Sequence, residues 1–177
     1  PPTRSLLKKA RRIFLQNEHF KKQLEESGFQ NLEVAGDTRI DRTLTLPDEA
    51  KIKIPESILT AGPFDLIAGS TWELDEQILF PLIQKLNLKV IIAPHDVREK
   101  NITRLMGSMP FSAIRFSKLQ EEKEIPKVIV MDNIGLLAYL YSLGKIAYVG
   151  GGFGSGIHNI LEPVAHSIPV IFGPKHA

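Results

Sequence analysis

The sequence predicts an α/β fold, a Rossmann-like, mainly parallel sheet flanked by helices. Three observations carry this. Short apolar runs alternate with amphipathic segments from one end of the chain to the other. Most runs are continuous rather than alternating in polarity, as in strands whose two faces are both covered by helices. One of them, at 146–149, leads straight into five glycines within seven residues, Gly150 to Gly156, as strand-to-helix turns at ligand sites do.

In chain order the strands are predicted at 13–16, 32–35, 66–69, 90–93, 113–116, 128–131, 146–149 and 170–172. Helices are predicted at 18–27, 74–86, 97–106, 134–143 and 157–166. In the second of these, Leu74, Ile78, Leu79, Leu82, Ile83 and Leu86 recur at helical spacing and predict a core-facing stripe. The stretch 41–63 differs. It carries the charged run Asp48-Glu49-Ala50-Lys51-Ile52-Lys53 and three prolines, Pro47, Pro55 and Pro63. It reads as an exposed connection with one short helix at 55–59.

Composition excludes several classes. The 177 residues are 43% hydrophobic and 24% charged, enough for one globular domain and a piece of another. A net charge of +2 gives no argument for nucleic acid. Without cysteine there is neither a disulfide framework nor a thiolate metal site. No apolar run is long enough to span a bilayer, and no signal peptide opens the chain. The chain begins at Pro1 and stops just after Gly173-Pro174-Lys175-His176, so both ends read as cuts through a longer protein.

Ligands of open α/β sheets bind outside the carboxyl ends of the strands. There the sequence sets Ser70-Thr71-Trp72-Glu73, Pro94-His95-Asp96, Asp132-Asn133-Ile134-Gly135, the glycine run with His158 and Asn159, and Gly173-Pro174-Lys175-His176. Glycines let a backbone approach a ligand closely, and a helix starting near Ile157 offers free N–H groups to a phosphate. Glu162, six positions past Gly156, is an acceptor for ribose hydroxyls. Each member also has a plain structural reading. A glycine-rich turn can simply join strand to helix. Ser70, Thr71 or Asp132 can cap a helix, Gly135 can serve a turn, His95 and Lys175 can be solvated, and His158 can bond backbone. Together they predict a binding cleft. His158 and Glu162 stand four apart on one helix face, but a metal lacks a third ligand at a telling spacing. Neither a Gly-x-Ser-x-Gly elbow nor a Walker lysine is present.

Those residues resemble the 3-deoxy-D-manno-oct-2-ulosonic acid (Kdo) transferases. The family's late signature is a glycine-rich loop, then His-Asn-x-x-Glu-Pro, an apolar strand and Phe-Gly-Pro. Here it reads His158-Asn159-Ile160-Leu161-Glu162-Pro163 and Phe172-Gly173-Pro174. Earlier segments follow in order: Gln16-Asn17-Glu18, Gly36-Asp37-Thr38-Arg39-Ile40-Asp41 and Ala68-Gly69-Ser70-Thr71 are similar to its Gln-(Asp/Asn)-Glu, Gly-(Asn/Asp)-x-(Lys/Arg)-x-Asp and Ala-x-Ser-Thr elements. Where many members have Pro-Arg-His-Pro-Glu, this chain has Pro94-His95-Asp96-Val97-Arg98.

The resemblance implies the C-terminal half of a GT-B glycosyltransferase. Residues 1–30 would end the N-terminal domain, and 31–177 would form a C-terminal donor domain, truncated at its C-terminus. The donor substrate would be CMP-Kdo, with no cofactor and no metal. The acceptor would be a lipid A precursor, met through the N-terminal domain at the cytoplasmic face of the bacterial inner membrane. The catalytic carboxylate would lie in that domain, so the chain alone would be inactive. Implied donor contacts are Ser70, Thr71, His95, Asn133, Gly135, Gly151, Gly152, Gly154, Ser155, Gly156, His158, Asn159 and Glu162, with Arg39 and Lys175 as further candidates. A UDP-sugar transferase or 2-epimerase, and a nucleotide-binding module without catalysis, remain the other readings.

Overall fold

A computed structural model of the chain describes residues 2–121, 124–154 and 156–176. Its contacts divide the chain into two compact units, Pro1–Leu44 and Thr45–Ala177. The first contains α1 (Pro2–Lys9), β1 (Ile13–Leu15), α2 (Glu18–Glu26), β2 (Leu32–Val34) and α3 (Thr38–Thr43). Asn17 caps α2 by accepting from the N–H of Phe20. Gly28, at φ 85°, ends it: the N–H of Phe29 bonds back to Leu24 C=O. The sequence places the change of domain near residue 30. The compact units divide later because β2 pairs in parallel with β1 over three positions, carrying 31–44 with the first unit.

The second unit runs α4 (Leu46–Lys53), α5 (Glu56–Ala61), β3 (Phe64–Thr71), α6 (Glu73–Leu86), β4 (Val90–Pro94), α7 (Glu99–Ser108), β5 (Ala113–Arg115), β6 (Val128–Val130), α8 (Leu137–Leu140), β7 (Gly144–Val149), α9 (Leu161–Ala165) and β8 (Val170–Phe172). Six strands form one sheet in the order β5-β6-β4-β3-β7-β8, and every pairing is parallel. All eight predicted strands are present. The apolar runs are buried as expected: β4 and β6 are buried at every position.

The topology sets the place of a site. From β3 the chain moves out to β4, builds β5 and β6, and returns to the other side of β3 as β7. The carboxyl ends of β3 and β7 therefore lie side by side at the point where the strand order reverses, the position at which open α/β sheets bind ligands.

Two cores pack against the sheet. One joins Ala50, Ile54, Ile58 and Ala61 to Phe64, Ile67, Ile91, Ile129, Leu140 and Tyr141. The other joins Leu79, Phe80, Ile83, Ile102 and Leu105 to Ala68, Ile92, Val130 and Tyr148. The first core corrects the reading of 41–63 as an exposed connection. Leu46, Ala50, Ile54, Ile58 and Ala61 are buried there, at spacings of three and four. Of the charges that suggested a loop, Asp48, Lys51 and Lys53 form the outer face of α4, while half-buried Glu49 accepts from Tyr139 Oη.

Other boundaries shift too. The helix predicted at 97–106 is α7, starting at Glu99, and that at 134–143 is α8 followed by a 3₁₀ turn, Tyr141–Leu143. In α6 only Leu79 and Ile83 of the predicted stripe are buried; Leu74, Ile78, Leu82 and Leu86 are exposed. Ile78, Leu82 and Leu86 line an apolar groove with Ile146, Phe153, Ile171 and Phe172. Asp75, Glu76 and Phe80 take the remaining inward positions.

If α4 and α5 close the first core, Ile58→Ala, at a site 0% exposed, loses about 2–5 kcal/mol in urea unfolding. Ile52→Ala, at a site 84% exposed, stays within about 0.5 kcal/mol of the parent.

Candidate functional site

The carboxyl end of β3 is irregular. Its pairing with β4 shifts register between Gly69 and Thr71, and Ser70 takes φ 53°, a left-handed conformation uncommon outside glycine. The bulge brings Ser70 against the first loop glycine: a Cβ on Gly150 would lie 2.3 Å from Ser70 O. Thr71 is buried, and its Oγ1 has no hydrogen-bond partner among the described residues. Neither hydroxyl caps α6. That helix is closed from within, by Asp75 Oδ2 accepting from the N–H of Trp72 at 2.9 Å.

Asp75 does more than close its own helix. Its carboxylate is buried and also accepts from Tyr148 Oη at 2.6 Å and from the N–H of Gly151 at 3.0 Å. One side chain thus links the start of α6, the end of β7 and the glycine loop. Burial, and then the Asp75 carboxylate, push the Tyr148 phenol well above its ordinary pKa, so it stays a donor.

The glycines serve close backbone packing first. A Cβ on Gly152 would lie 2.6 Å from Gly173 Cα, so the β7 and β8 ends touch backbone to backbone. Gly151 adopts φ 95°. Gly150 N–H bonds Gly69, Gly154 and Gly156 N–H bond Gly151, and His158 N–H bonds Gly150. Lys175 is not merely solvated: its N–H bonds Gly152 C=O at 3.0 Å and its Nζ bonds Gly154 C=O at 2.9 Å. Among the described residues, the N–H groups of Gly152 and Phe153 donate to no acceptor. Ser155, one of the predicted contacts, lies outside the described residues.

The expected helix start behind the loop is corrected. Residues 157–160 are irregular, and α9 begins at Leu161. Pro163 explains this. It has no N–H to bond Asn159 C=O, so it fits only within a first helical turn. Asn159 Oδ1 accepts from the N–H of Leu161 at 3.0 Å, and its Nδ2 donates to Glu162 Oε1 at 3.3 Å. Glu162 therefore sits in the first turn of a five-residue helix, not two turns in.

Facing rings complete the site. Trp72 Nε1 donates to His158 Nε2 at 3.0 Å, with the two ring planes 17° from parallel. His95 stacks on both, 4.6 Å from Trp72 and 4.4 Å from His158 between ring centroids. The N–H of His95 also bonds Thr71 C=O, fixing the β4 end to the β3 end. Burial and the neighbouring His95 lower the His158 pKa, against a smaller opposing pull from Asp75. The sequence sets Trp72 in the cluster after β3 but gives it no role, and nothing local marks Asp75.

The structure thus gathers Ser70, Thr71, His95, Gly151, Gly152, Gly154, Gly156, His158 and Lys175 through direct contacts. Asn159 and Glu162 follow on the same segment. Among the described residues, no hydrogen bond or ring contact ties Asn133 or Gly135 to the loop. Gly135, at φ 100°, serves its turn, and Asp132 accepts from the N–H and hydroxyl of Ser117 instead of capping a helix. Arg39 belongs to the first unit, where its guanidinium is held bidentately by Asp37. In the second unit, next to His95 in sequence, Asp96 is locked by Arg98, which holds the carboxyl down at about 2. No group of three or more His, Asp or Glu among the described residues is placed to hold a metal ion. No described helix is long and apolar enough to cross a membrane.

Curated relatives that the chain matches in sequence carry transferase names. The chain is 38% identical over 114 residues to the 3-deoxy-D-manno-octulosonic acid transferase of Chlamydophila psittaci, covering 62% of the chain and 26% of that protein. It is 33% identical over 157 residues to the transferase of the same name in Haemophilus influenzae, covering 83% of the chain and 36% of that protein. The chain thus spans roughly a quarter to two fifths of the relatives it matches, 42% of the one from Rickettsia bellii. No protein-family model matches. Among solved structures, the C-terminal CMP-Kdo binding domain of WaaA from Acinetobacter baumannii superposes with a TM-score of 0.53 at 22% identity, over 77% of this chain and 71% of that one. By sequence the chain is related to the 3-deoxy-D-manno-octulosonic acid transferases, and its fold is that of this C-terminal domain.

Asp75→Ala leaves three donors without their acceptor. Hydrogen bonds to a charged group contribute about 1.5–3 kcal/mol each, and such losses do not add fully, so urea unfolding is expected to show a loss of about 3–5 kcal/mol. His158 gives a pH signature. Its folded pKa is lowered below 6.5, so the unfolded chain binds the extra proton first. The His158 contribution to stability is full above 6.5 and is lost as pH falls from there to the lowered folded value. In His158→Gln, thermal unfolding between pH 5 and 7 should be less pH-dependent than in the parent.

Proposed function

We propose that this chain, related by sequence to the Kdo transferases, is the donor-binding half of a glycosyltransferase that moves Kdo from CMP-Kdo to a lipid A precursor. The supporting observation is the meeting of the β3 bulge with the glycine loop at the topological switch point, with the Gly152 and Phe153 N–H groups donating to no acceptor among the described residues. In this reading the CMP phosphate lies on those two N–H groups and His158, while Asn159 and Glu162 hold the ribose. Ser70, Thr71 and His95 form the opposing wall, and Gly151, Gly154 and Gly156 shape the loop. Ser155, Asn133, Gly135, Arg39 and Lys175 remain candidates of lower rank, Lys175 because it already braces Gly154.

The mechanism follows from charge. As the C–O bond between Kdo and CMP breaks, negative charge grows on the phosphate. Fixed N–H donors stabilise that charge without reorganising. The donors here are fixed by backbone packing rather than by a helix N-terminus, since α9 starts four residues downstream of Ile157. A monophosphate leaving group carries less charge than a diphosphate, so the reading calls for no metal and no cofactor. The acceptor hydroxyl needs a general base, which this reading places in the other half of the enzyme, at the cytoplasmic face of the inner membrane.

Calorimetric titration of the chain with nucleotides tests the reading. CMP should bind more tightly than UMP or AMP. A preference for UMP would favour a UDP-sugar enzyme, and equal affinities would reject pyrimidine-specific recognition. Glu162→Gln keeps the shape and one acceptor while removing the charge. One charge-assisted bond of roughly 1.5–3 kcal/mol predicts a CMP affinity lower by about 10- to 100-fold.

A further inference from the structure

Trp72 is the only tryptophan of the chain, and it stands at the exposed lip of the site. An indole N–H can donate but cannot accept. The nitrogen that receives it, His158 Nε2 at 3.0 Å, must therefore carry a lone pair. The His158 proton then resides on Nδ1, and the ring is neutral. The geometry fits an N–H···N bond between ring edges: the ring planes are within 17° of parallel, the centroids are 6.4 Å apart, and His95 stacks on both. The His158 ring is also packed against the loop, since a Cβ on Gly151 would approach its Cδ2 to 3.2 Å. Among the described residues Nδ1 has no hydrogen-bond partner.

We propose that Trp72 is a positioning residue that fixes His158 as the neutral, Nδ1-protonated tautomer and presents that N–H to the ligand of the glycine loop. The proposal rests on the nucleotide reading only for the identity of that ligand. Its chemical content is that His158 offers a hydrogen bond and no full positive charge. Two features oppose a charged ring. Protonating Nε2 breaks the bond to Trp72, because two donors would then face each other. A second imidazole, His95, is stacked on the ring and disfavours added charge. The titratable groups facing His158 are His95 and the Asp75 carboxylate, which bonds the N–H of Gly151. Asp75 pulls the other way and is the weaker influence, so the lowered His158 pKa agrees with the geometry.

Long-range ¹H–¹⁵N spectra of the imidazole rings, recorded on the chain without nucleotide, test this directly. His158 should show the Nδ1–H pattern and titrate below the ordinary value. Trp72→Phe should populate the Nε2–H form and move the titration up toward 6.5. Replacing Trp72 by benzothienylalanine, in which sulfur stands for the N–H, should do the same while keeping ring and stack. This second variant guards against misfolding of the first. An unchanged tautomer in both variants would overturn the proposal. CMP affinity at pH 7.5 should fall about fivefold in both variants, as for one neutral hydrogen bond lost. If the tautomer changes but CMP binds neither parent nor variant, the nucleotide reading fails and the role of Trp72 stands.

Discussion

The buried carboxylate of Asp75 is the constraint on which the site depends. Three donors converge on it from three parts of the chain: the first N–H of the α6 turn, the Tyr148 hydroxyl from β7, and the Gly151 N–H from the loop. A buried carboxylate is costly unless its lone pairs are filled. Here they are filled by the groups that need to be brought together. The ends of β3 and β7 are therefore locked side by side, and Trp72 is held at the lip where it meets His158. The rest of the site inherits its geometry from that junction.

Glycine-rich loops are often read as phosphate cradles, and here packing comes before binding. Gly150 meets Ser70, Gly152 meets Gly173, and most loop N–H groups bond within the loop or to its neighbours. Among the described loop residues two N–H groups, those of Gly152 and Phe153, donate to no acceptor, and on the proposed reading they stand beside a ring whose proton is set by Trp72. That is the arrangement electrostatic preorganisation requires. In the proposed reaction such donors would not have to be recruited when charge develops. The stack of Trp72, His95 and His158 also joins three strand ends, because each residue follows a different strand.

Much of the fold was legible because buried parallel strands leave a plain mark. Runs such as Val90-Ile91-Ile92-Ala93 and Val128-Ile129-Val130-Met131 have no polar face to confuse the pattern. The short helix predicted at 55–59 is α5, but α4 and the burial of both were missed because charge and proline outweighed periodicity. The signal was there in Leu46, Ala50, Ile54 and Ile58, each four residues from the last. The start of α9 was likewise readable from Pro163. Other features were not. Nothing local distinguishes Asp75 from an ordinary first-turn acid until Tyr148, 73 residues away, is brought against it. The split of the α6 stripe depends on which part of the sheet the helix covers. Trp72 became meaningful only when the fold set it beside His95 and His158, and tertiary pairings of that kind have no local sequence pattern.

The central claim is that the glycine loop, the β3 bulge and the stacked rings form one nucleotide site. The most direct measurement is a backbone amide ¹H–¹⁵N shift map of the chain titrated with CMP. The account predicts saturable shifts concentrated on Gly152, Phe153, His158, Asn159 and Glu162, with Trp72 and His95 following. Shifts confined to the apolar groove at Ile78, Leu82 and Ile171, with the loop amides unmoved, would contradict it.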